Sequence, residues 1–430
     1  MAQYRKDSNR YLREGKTIFE VVMLADQYGN LVGPANPSGM SVDAFGRART
    51  SQPLTLFDSY HRYQDNGKDS IFTSGAGASV YDVNSSSNQL NVGTASGDEV
   101  IRETSRVFAY QPGKSLQILM TFVMNAPKTN LRQRAGYFGT QNGIFLQQNN
   151  STVSFVRRSY VSGSVVDTTI NQADWNMDKL DGTGPSGLTL DLTKSQILFI
   201  DVEWLGVGSV RCGFVIDGQF IHCHSFHHAN SFVNTYMTTA MLSVRMEITN
   251  TGITASSSSY RQICCSVISE GGYELRGKPF SVGHDVLTPR DLAVAGTYYP
   301  VLSIRLKSTR LDSIVIPKNL SILGIGNNSR IAYRLFSNPT LTGAAWTPVN
   351  SNSFVEYDKT ATAMSGGLEI FSGYTAISNQ STQTMNLDSG LFKYQLERNS
   401  FTSTPHILTL AVATSAAGDD ILASFDWEEI

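Results

Sequence analysis

Charge is the first thing this chain is short of. Asp, Glu, Lys and Arg make up 16% of its 430 residues, against about 25% in an ordinary soluble protein. The 34 Lys and Arg nearly cancel the 36 Asp and Glu, leaving a net charge of −2. That balance excludes bulk attraction to a polyanion, and we expect no nucleic acid as partner. Cysteine is scarce too. Four in the whole chain cannot build a disulfide scaffold, and the adjacent Cys264-Cys265 would point to opposite faces of a strand. The thiols read as reduced core fillers. No window approaches the ~18 uninterrupted apolar residues of a membrane helix, and Met1-Ala2-Gln3-Tyr4-Arg5-Lys6 lacks the apolar segment of a secretory signal. Membrane insertion is therefore not expected, and the chain is expected to be made and kept in the cytoplasm. Helical periodicity is missing as well: no stretch of about twelve residues keeps a 3.6-residue apolar period, so little helix is expected beyond short turns, one of them around Lys6 to Arg13.

In place of charge there are 36 Gly and long runs of Ser, Thr and Asn, residues at home in turns and poor in helix interiors. Residues 1–45 read as an arm. A basic start (Arg5, Lys6, Arg10, Arg13) leads to one apolar run, Ile18 to Leu24, and then to turn signals at Tyr28-Gly29-Asn30 and Gly33-Pro34. A lone strand needs a partner surface, which makes this segment a docking element. From 46 to 285 strand follows strand: Leu116 to Met124, nearly all apolar as for a strand covered on both faces, then Tyr137 to Leu146, Val153 to Val161 and Ile197 to Leu205. Arg211 to Ile216, Asp217-Gly218 and Gln219 to His222 spell a hairpin with a type I′ turn. Met241 to Ile248 and Gln262 to Leu275 close the region. From 286 to 430 a second β region alternates at Val301 to Leu306, Ile314 to Ile316, Leu320 to Leu323, Ile331 to Phe336, Ile407 to Val412 and Ile421 to Glu428. Phe425 and Trp427 so near the end mark a strand that is tied in. With no shared repeat period, the expected fold is all-β: two tandem β-sandwiches, jelly-roll or lectin-like, behind an N-terminal arm.

The densest chemistry is Ile221-His222-Cys223-His224-Ser225-Phe226-His227-His228, with four of the seven His. Strand alternation puts Phe220, His222, His224 and Phe226 on one face, so His222 and His224 are candidate metal ligands, with three symmetry copies offering six nitrogens. A third ligand and a supporting carboxylate, as a catalytic zinc requires, are not identifiable, and the competing reading is a set of sheet-surface or subunit-interface histidines. Asp201-Val202-Glu203-Trp204 sets two carboxylates on one strand face, a pair that a retaining glycosidase would hold ~5 Å apart; surface acids partnering Arg211 are the plainer alternative. The glycine pairs Gly206-Val207-Gly208, Gly271-Gly272 and Gly324-Ile325-Gly326 lack the Lys and Ser/Thr of a phosphate loop. No Gly-x-Ser-x-Gly elbow is present. No cofactor and no catalytic residue are assigned, and the chain is expected not to be an enzyme.

Several stretches resemble structural proteins of tailed bacteriophages, notably those of cyanobacteria and other marine hosts. They are Val42-Asp43-Ala44-Phe45-Gly46-Arg47-Ala48-Arg49-Thr50-Ser51-Gln52-Pro53 with Thr55 to Ser59, Val202 to Arg211, Val215 to Phe220, His227 to Asn230, Tyr299 to Arg305, Ile316-Pro317-Lys318, and Asn338 to Gly343. Arg5 to Tyr11 is similar to an N-terminal segment of such proteins. The resemblance implies a virion component (tail, neck or capsid appendage) built of β-sandwiches, homotrimeric, assembled in the host cytoplasm and in contact with other virion proteins. It implies no catalytic residue. Two rivals stay open: a receptor-binding fibre or adhesin that recognises host surface polysaccharide, and a depolymerase using Asp201 and Glu203.

Overall fold

A computed structural model describes residues 52–274, 276–326, 328–377 and 395–430, together with strand pairings at 11–14, 17–20, 24–25, 31–32 and 383–386. Residues Met1–Gln52 and Pro53–Ile430 form separate compact units. Most of the expected arm, 1–45, lies outside the described residues. Within it Tyr11–Glu14 pairs antiparallel with Thr17–Glu20, and Leu24–Ala25 with Leu31–Val32, so the helical turn expected up to Arg13 gives way to a strand at Tyr11.

The second unit is two β-sandwiches in tandem, as the alternating patterns imply. In the first, one sheet runs edge to edge through Gln219–Phe226, Val210–Ile216, Gln196–Val202, Leu116–Val123, Ser258–Ser269, Ser87–Val92 and Ala78–Asp82, with Leu54–Tyr60 also pairing Ser258–Ser269. The opposing sheet runs through Val166–Asn171, Thr152–Ser159, Gly143–Asn149, Leu131–Phe138, Val244–Asn250, Glu99–Thr104 and Asp69–Ser74. Leu116, Ile118, Met120 and Phe122 alternate into the core between the sheets, while Gln117, Leu119, Thr121 and Val123 are half-buried; this strand is fully covered on one face, not on both. Tyr137 to Leu146 is not one strand but a hairpin. Phe138 pairs with Gly143 and the chain reverses between them, because Gly143, at φ +144° and against the Phe138 side chain, leaves no room for a Cβ. The Asp217-Gly218 hairpin forms as its sequence dictates, with both φ angles positive (50° and 75°). Cys212, Cys223 and Cys265 are buried in the core, and all four thiols are free.

The second sandwich begins before 286. Lys278–Gly283 and then Arg290–Leu292 pair with the C-terminal strand Asp419–Glu429, whose other edge holds Val315–Ile325. The facing sheet runs Thr347–Pro348, Val355–Asp358, Tyr299–Leu306, Ile407–Thr414, Arg330–Ser337, Leu368–Ala376. The C-terminal strand is tied in by side chains as well as by its ladder. Trp427, 1% exposed, donates from Nε1 to Glu429 Oε1 at 2.8 Å, and the same carboxylate accepts from Ser353 Oγ and Phe354 N.

The two sandwiches meet through a small apolar cluster of Val107, Ala109, Ile314 and Ile316 and a ladder of alternating buried charges. Arg134 pairs with Glu247 at 3.3 Å, Glu247 with Arg245 at 2.6 Å, Arg245 with Glu103 at 2.8 Å, and Glu103 with Arg398 of the second sandwich at 3.4 Å. Arg398 also donates to Thr104 O and Ser243 Oγ. Burial works against the Glu247 charge, yet Arg245 and Arg134 more than offset it and hold its carboxyl below the usual range. Arg398→Ala leaves Glu103 paired with Arg245 but leaves Thr104 O and Ser243 Oγ without their donor, and should destabilise the chain by about 1–3 kcal/mol. It should also split one cooperative unfolding transition into two, read by hydrogen exchange on peptides of each sandwich during urea denaturation. Unchanged stability with coincident transitions would show that the ladder does not join them.

Candidate functional site

His222 and His224 are not brought together. In the ladder between Val210–Ile216 and Gln219–Phe226, Gly213 opposes His222 and Cys212 opposes His224, so Cys223 is an extra residue in a β-bulge. The bulge breaks the alternation on which a shared face depends. His222 stays on the outer face of the sheet, edge-on to Phe199 at 5.0 Å. Phe199 in turn touches Phe220 at 5.2 Å and lies over Gly213, where an added Cβ would come within 2.8 Å of its ring. His224 turns to the core side with Cys223, 6% exposed, edge-on to Phe226 at 4.6 Å, and its Nδ1 accepts from Asn176 N at 3.4 Å. One ion cannot bridge imidazoles on opposite sides of a sheet, and among the described residues no group of three or more His, Cys, Asp or Glu is arranged to hold a metal. His227 Nδ1 lies 3.2 Å from Ser209 Oγ. His228 is fully buried, stacked on Tyr236 at 3.9 Å, and donates from Nδ1 to Gly208 O at 2.6 Å.

Asp201 and Glu203 take different partners. Asp201 is buried and accepts from Arg211 Nη2. Burial lifts its carboxyl above the ordinary value, Arg211 pulls it back, and Glu270 and Glu203 lift it further. The strand ends at Val202, and Glu203 is exposed beyond it. There its backbone N–H donates to Ser209 O at 3.1 Å and its Oε2 accepts from Ser209 N at 3.3 Å, closing a turn through Leu205 and Gly206, both at positive φ. Asp201 is thus committed to a surface arginine and Glu203 to a turn.

A cleft of 580 Å³ opens instead at one end of the second sandwich, within the roughly 300–1,000 Å³ typical of small-ligand sites. Its wall follows from the pairing of the C-terminal strand. That strand holds Lys278–Gly283 and Arg290–Leu292 in succession, so residues 284–289 must project as a loop. The loop turns at Asp285, whose Oδ1 accepts from Leu287 N at 2.8 Å and whose carbonyl accepts from Thr288 N. Val286 and Leu287 stand at its tip, 72% and 85% exposed. Across the cleft, buried Asp358 accepts from Thr360 N and Oγ1 and from Ala361 N, which fixes the turn that presents Lys359 and Thr362.

Three basic side chains line the space: His284, Arg290 and Lys359. Arg290 donates from Nη2 to Ala361 O at 2.8 Å, and its guanidinium sits 5.8 Å from the Tyr299 ring centre. Lys359 Nζ donates to Gly283 O. His284 Nδ1 lies 3.2 Å from Ala423 O, while its Nε2 is buried with no hydrogen-bond partner among the described residues. Burial holds the His284 pKa below the usual imidazole value, opposed by the Ala423 contact and reinforced by Lys359 and Arg290. Thr288, Thr362 and Asp291 complete the polar lining. None of these residues stood out in the sequence. Thr288-Pro289 marked only a boundary, and the one local signal, a His and an Arg either side of a turn at 284–290, says nothing of Lys359 about seventy residues on.

No family model and no curated protein sequence matches the chain. Among solved structures it is similar to a Bacillus licheniformis β-glucanase (10% identity, 51% of this chain and 99% of that one, TM-score 0.32). It is also similar to a carbohydrate esterase of the Shiga toxin-encoding bacteriophage phi24B (12%, 51% and 100%, 0.28) and to a legume lectin-like domain from Entamoeba histolytica (11%, 52% and 99%, 0.29). Likenesses of this size concern strand layout alone, and no residue role is carried across.

The histidines that the bulge and its flank bury make the fold acid-sensitive. Burial, with His227 adding, holds His224 at a pKa of about 4. Burial also holds His228 at about 4, opposed by its bond to Gly208 and reinforced by Arg157 and His227. Both are depressed from 6.5, so the unfolded chain takes up protons first. Their contribution to stability is complete above pH 6.5 and is lost as the pH falls towards about 4, by up to about 1.4 kcal/mol per pH unit for each group. Across that window the melting temperature of His228→Gln should fall less steeply than that of the unaltered chain; parallel curves would mean that His228 is charged in the native state.

Proposed function

We propose that the chain is a non-enzymatic surface protein of a tailed-bacteriophage particle that recognises saccharide on the host surface through the cleft of its second sandwich. The observation that carries this reading is the cleft itself. It is an open space of 580 Å³ walled by an aromatic ring, two hydroxyls, a carboxylate and three basic side chains. This mixture of directional polar groups beside a ring suits a polyhydroxylated ligand better than an apolar one. The placement on a phage particle rests on the resemblance of the chain's turn and strand segments to virion proteins.

A second role, as a structural component docking to the particle, is favoured by the separate grouping of Met1–Gln52 from the sandwiches. The arm joins other virion proteins, and a homotrimer supplies the avidity that a shallow saccharide site needs. Two measurements test the pair of roles. Isolated protein should bind host envelope polysaccharide immobilised on a sensor surface, and no binding at high protein concentration would end the recognition role. A chain truncated before residue 46 should keep the same melting transition but be missing from assembled particles; normal incorporation would refute the docking role.

A further inference from the structure

The cleft carries positive charge that its own acids do not answer. Arg290 and Lys359 each give a hydrogen bond to a backbone carbonyl, Ala361 O and Gly283 O, and among the described residues neither is ion-paired with a carboxylate. Arg290 Nε is a buried donor with no acceptor among the described residues, and His284 Nε2 is likewise without a partner. The acids nearby are Asp291 in the lining and Asp285 on the projecting turn, which acts on Lys359 from outside the wall.

We propose that the cleft binds an anionic saccharide, with the carboxylate or sulfate of the sugar seated between Arg290 and Lys359 and its hydroxyls on Thr288, Thr362 and Asp291; this rests on the glycan-recognition reading above. A carboxylate or sulfate on a guanidinium makes a charge-assisted bond about twice as strong as a neutral one. Asp291 selects between classes of anion. It would repel a small inorganic polyanion, but it accepts from the hydroxyls that surround the acid group of a sugar. His284 tunes the site. Burial, Lys359 and Arg290 oppose its protonation, and a seated anion favours it. Affinity for an acidic sugar therefore rises as the pH falls below about 6.5, the ordinary imidazole value, while a carboxyl of pKa about 3.5 stays ionised.

The test is calorimetric titration of the full chain with oligogalacturonate, a chondroitin sulfate oligosaccharide, a neutral maltooligosaccharide and sodium sulfate, at about pH 7 and about pH 5.5. The expected result is binding of one or both acidic oligosaccharides in preference to the neutral one, tighter at the lower pH. Binding should weaken about tenfold or more in Lys359→Met and Arg290→Gln, and the pH dependence should be lost in His284→Gln. Lys359 is half-buried, so Lys359→Met carries the test should Arg290→Gln lower the melting temperature. Equal binding of neutral and acidic sugars, unaltered in Lys359→Met, would overturn the anionic assignment and leave saccharide recognition standing. Sulfate binding as tightly as the acidic sugars would reduce the cleft to an adventitious anion site. Failure of every saccharide, together with failure on host polysaccharide, would sink both readings.

Discussion

The strand Asp419–Glu429 is the constraint on which the second sandwich and its cleft depend. Its hydrogen bonds go to Val315–Ile325 along one edge and, along the other, first to Lys278–Gly283 and then to Arg290–Leu292. Two short strands sharing one long edge leave the chain between them with no ladder to join, so residues 284–289 become a projecting loop and His284 and Arg290 become the two ends of its base. The strand is anchored in turn by Trp427 and Glu429, whose carboxylate satisfies an indole, a hydroxyl and a backbone amide at once. A buried charge with three donors is an expensive thing to move, and that rigidity passes to the wall of the cleft.

Low charge content does not make this a protein without electrostatics. The ladder Arg134–Glu247–Arg245–Glu103–Arg398 concentrates five charges in a buried row that crosses one sheet of the first sandwich and ends in the second. Burial alone would push Arg134 towards losing its proton, and its pKa falls to about 10 even with Glu247 beside it. Each charge survives because the next one answers it. The cleft is the counter-case: there Arg290 and Lys359 give hydrogen bonds to carbonyl oxygens, and among the described residues neither forms an ion pair with a carboxylate.

Local sequence foretold the elements well wherever local physics decides them. Asp217-Gly218 is a type I′ turn because positive φ at both positions is tolerated by those residues, and no other part of the chain has a vote. The apolar run Leu116 to Met124 and the alternation at Ile407 to Val412 both placed strands correctly, although the first is fully covered on one face only and the second is buried on both. Tyr137 to Leu146 misled because an apolar run does not say where it folds back; that depended on Gly143 lying against Phe138. The His222–His224 pair misled for a related reason. Counting by twos assumes an unbroken ladder, and a single extra residue at Cys223 sends the second imidazole through the sheet.

What the amino-acid order settled by itself is the class of the molecule: strands with little helix, two unlike sandwiches, thiols that serve as core, and a chain whose charges nearly cancel. These follow from periods of two, turn chemistry and composition, which act over a few residues. What only the tertiary structure decided is where chemistry converges. His284, Arg290 and Lys359 are scattered in the chain and meet because two strands share the edge of a third, and Asp201 and Glu203, two residues apart, take different partners because the strand stops between them. Proximity across a sheet is set by register, and register is set by the packing of the whole core.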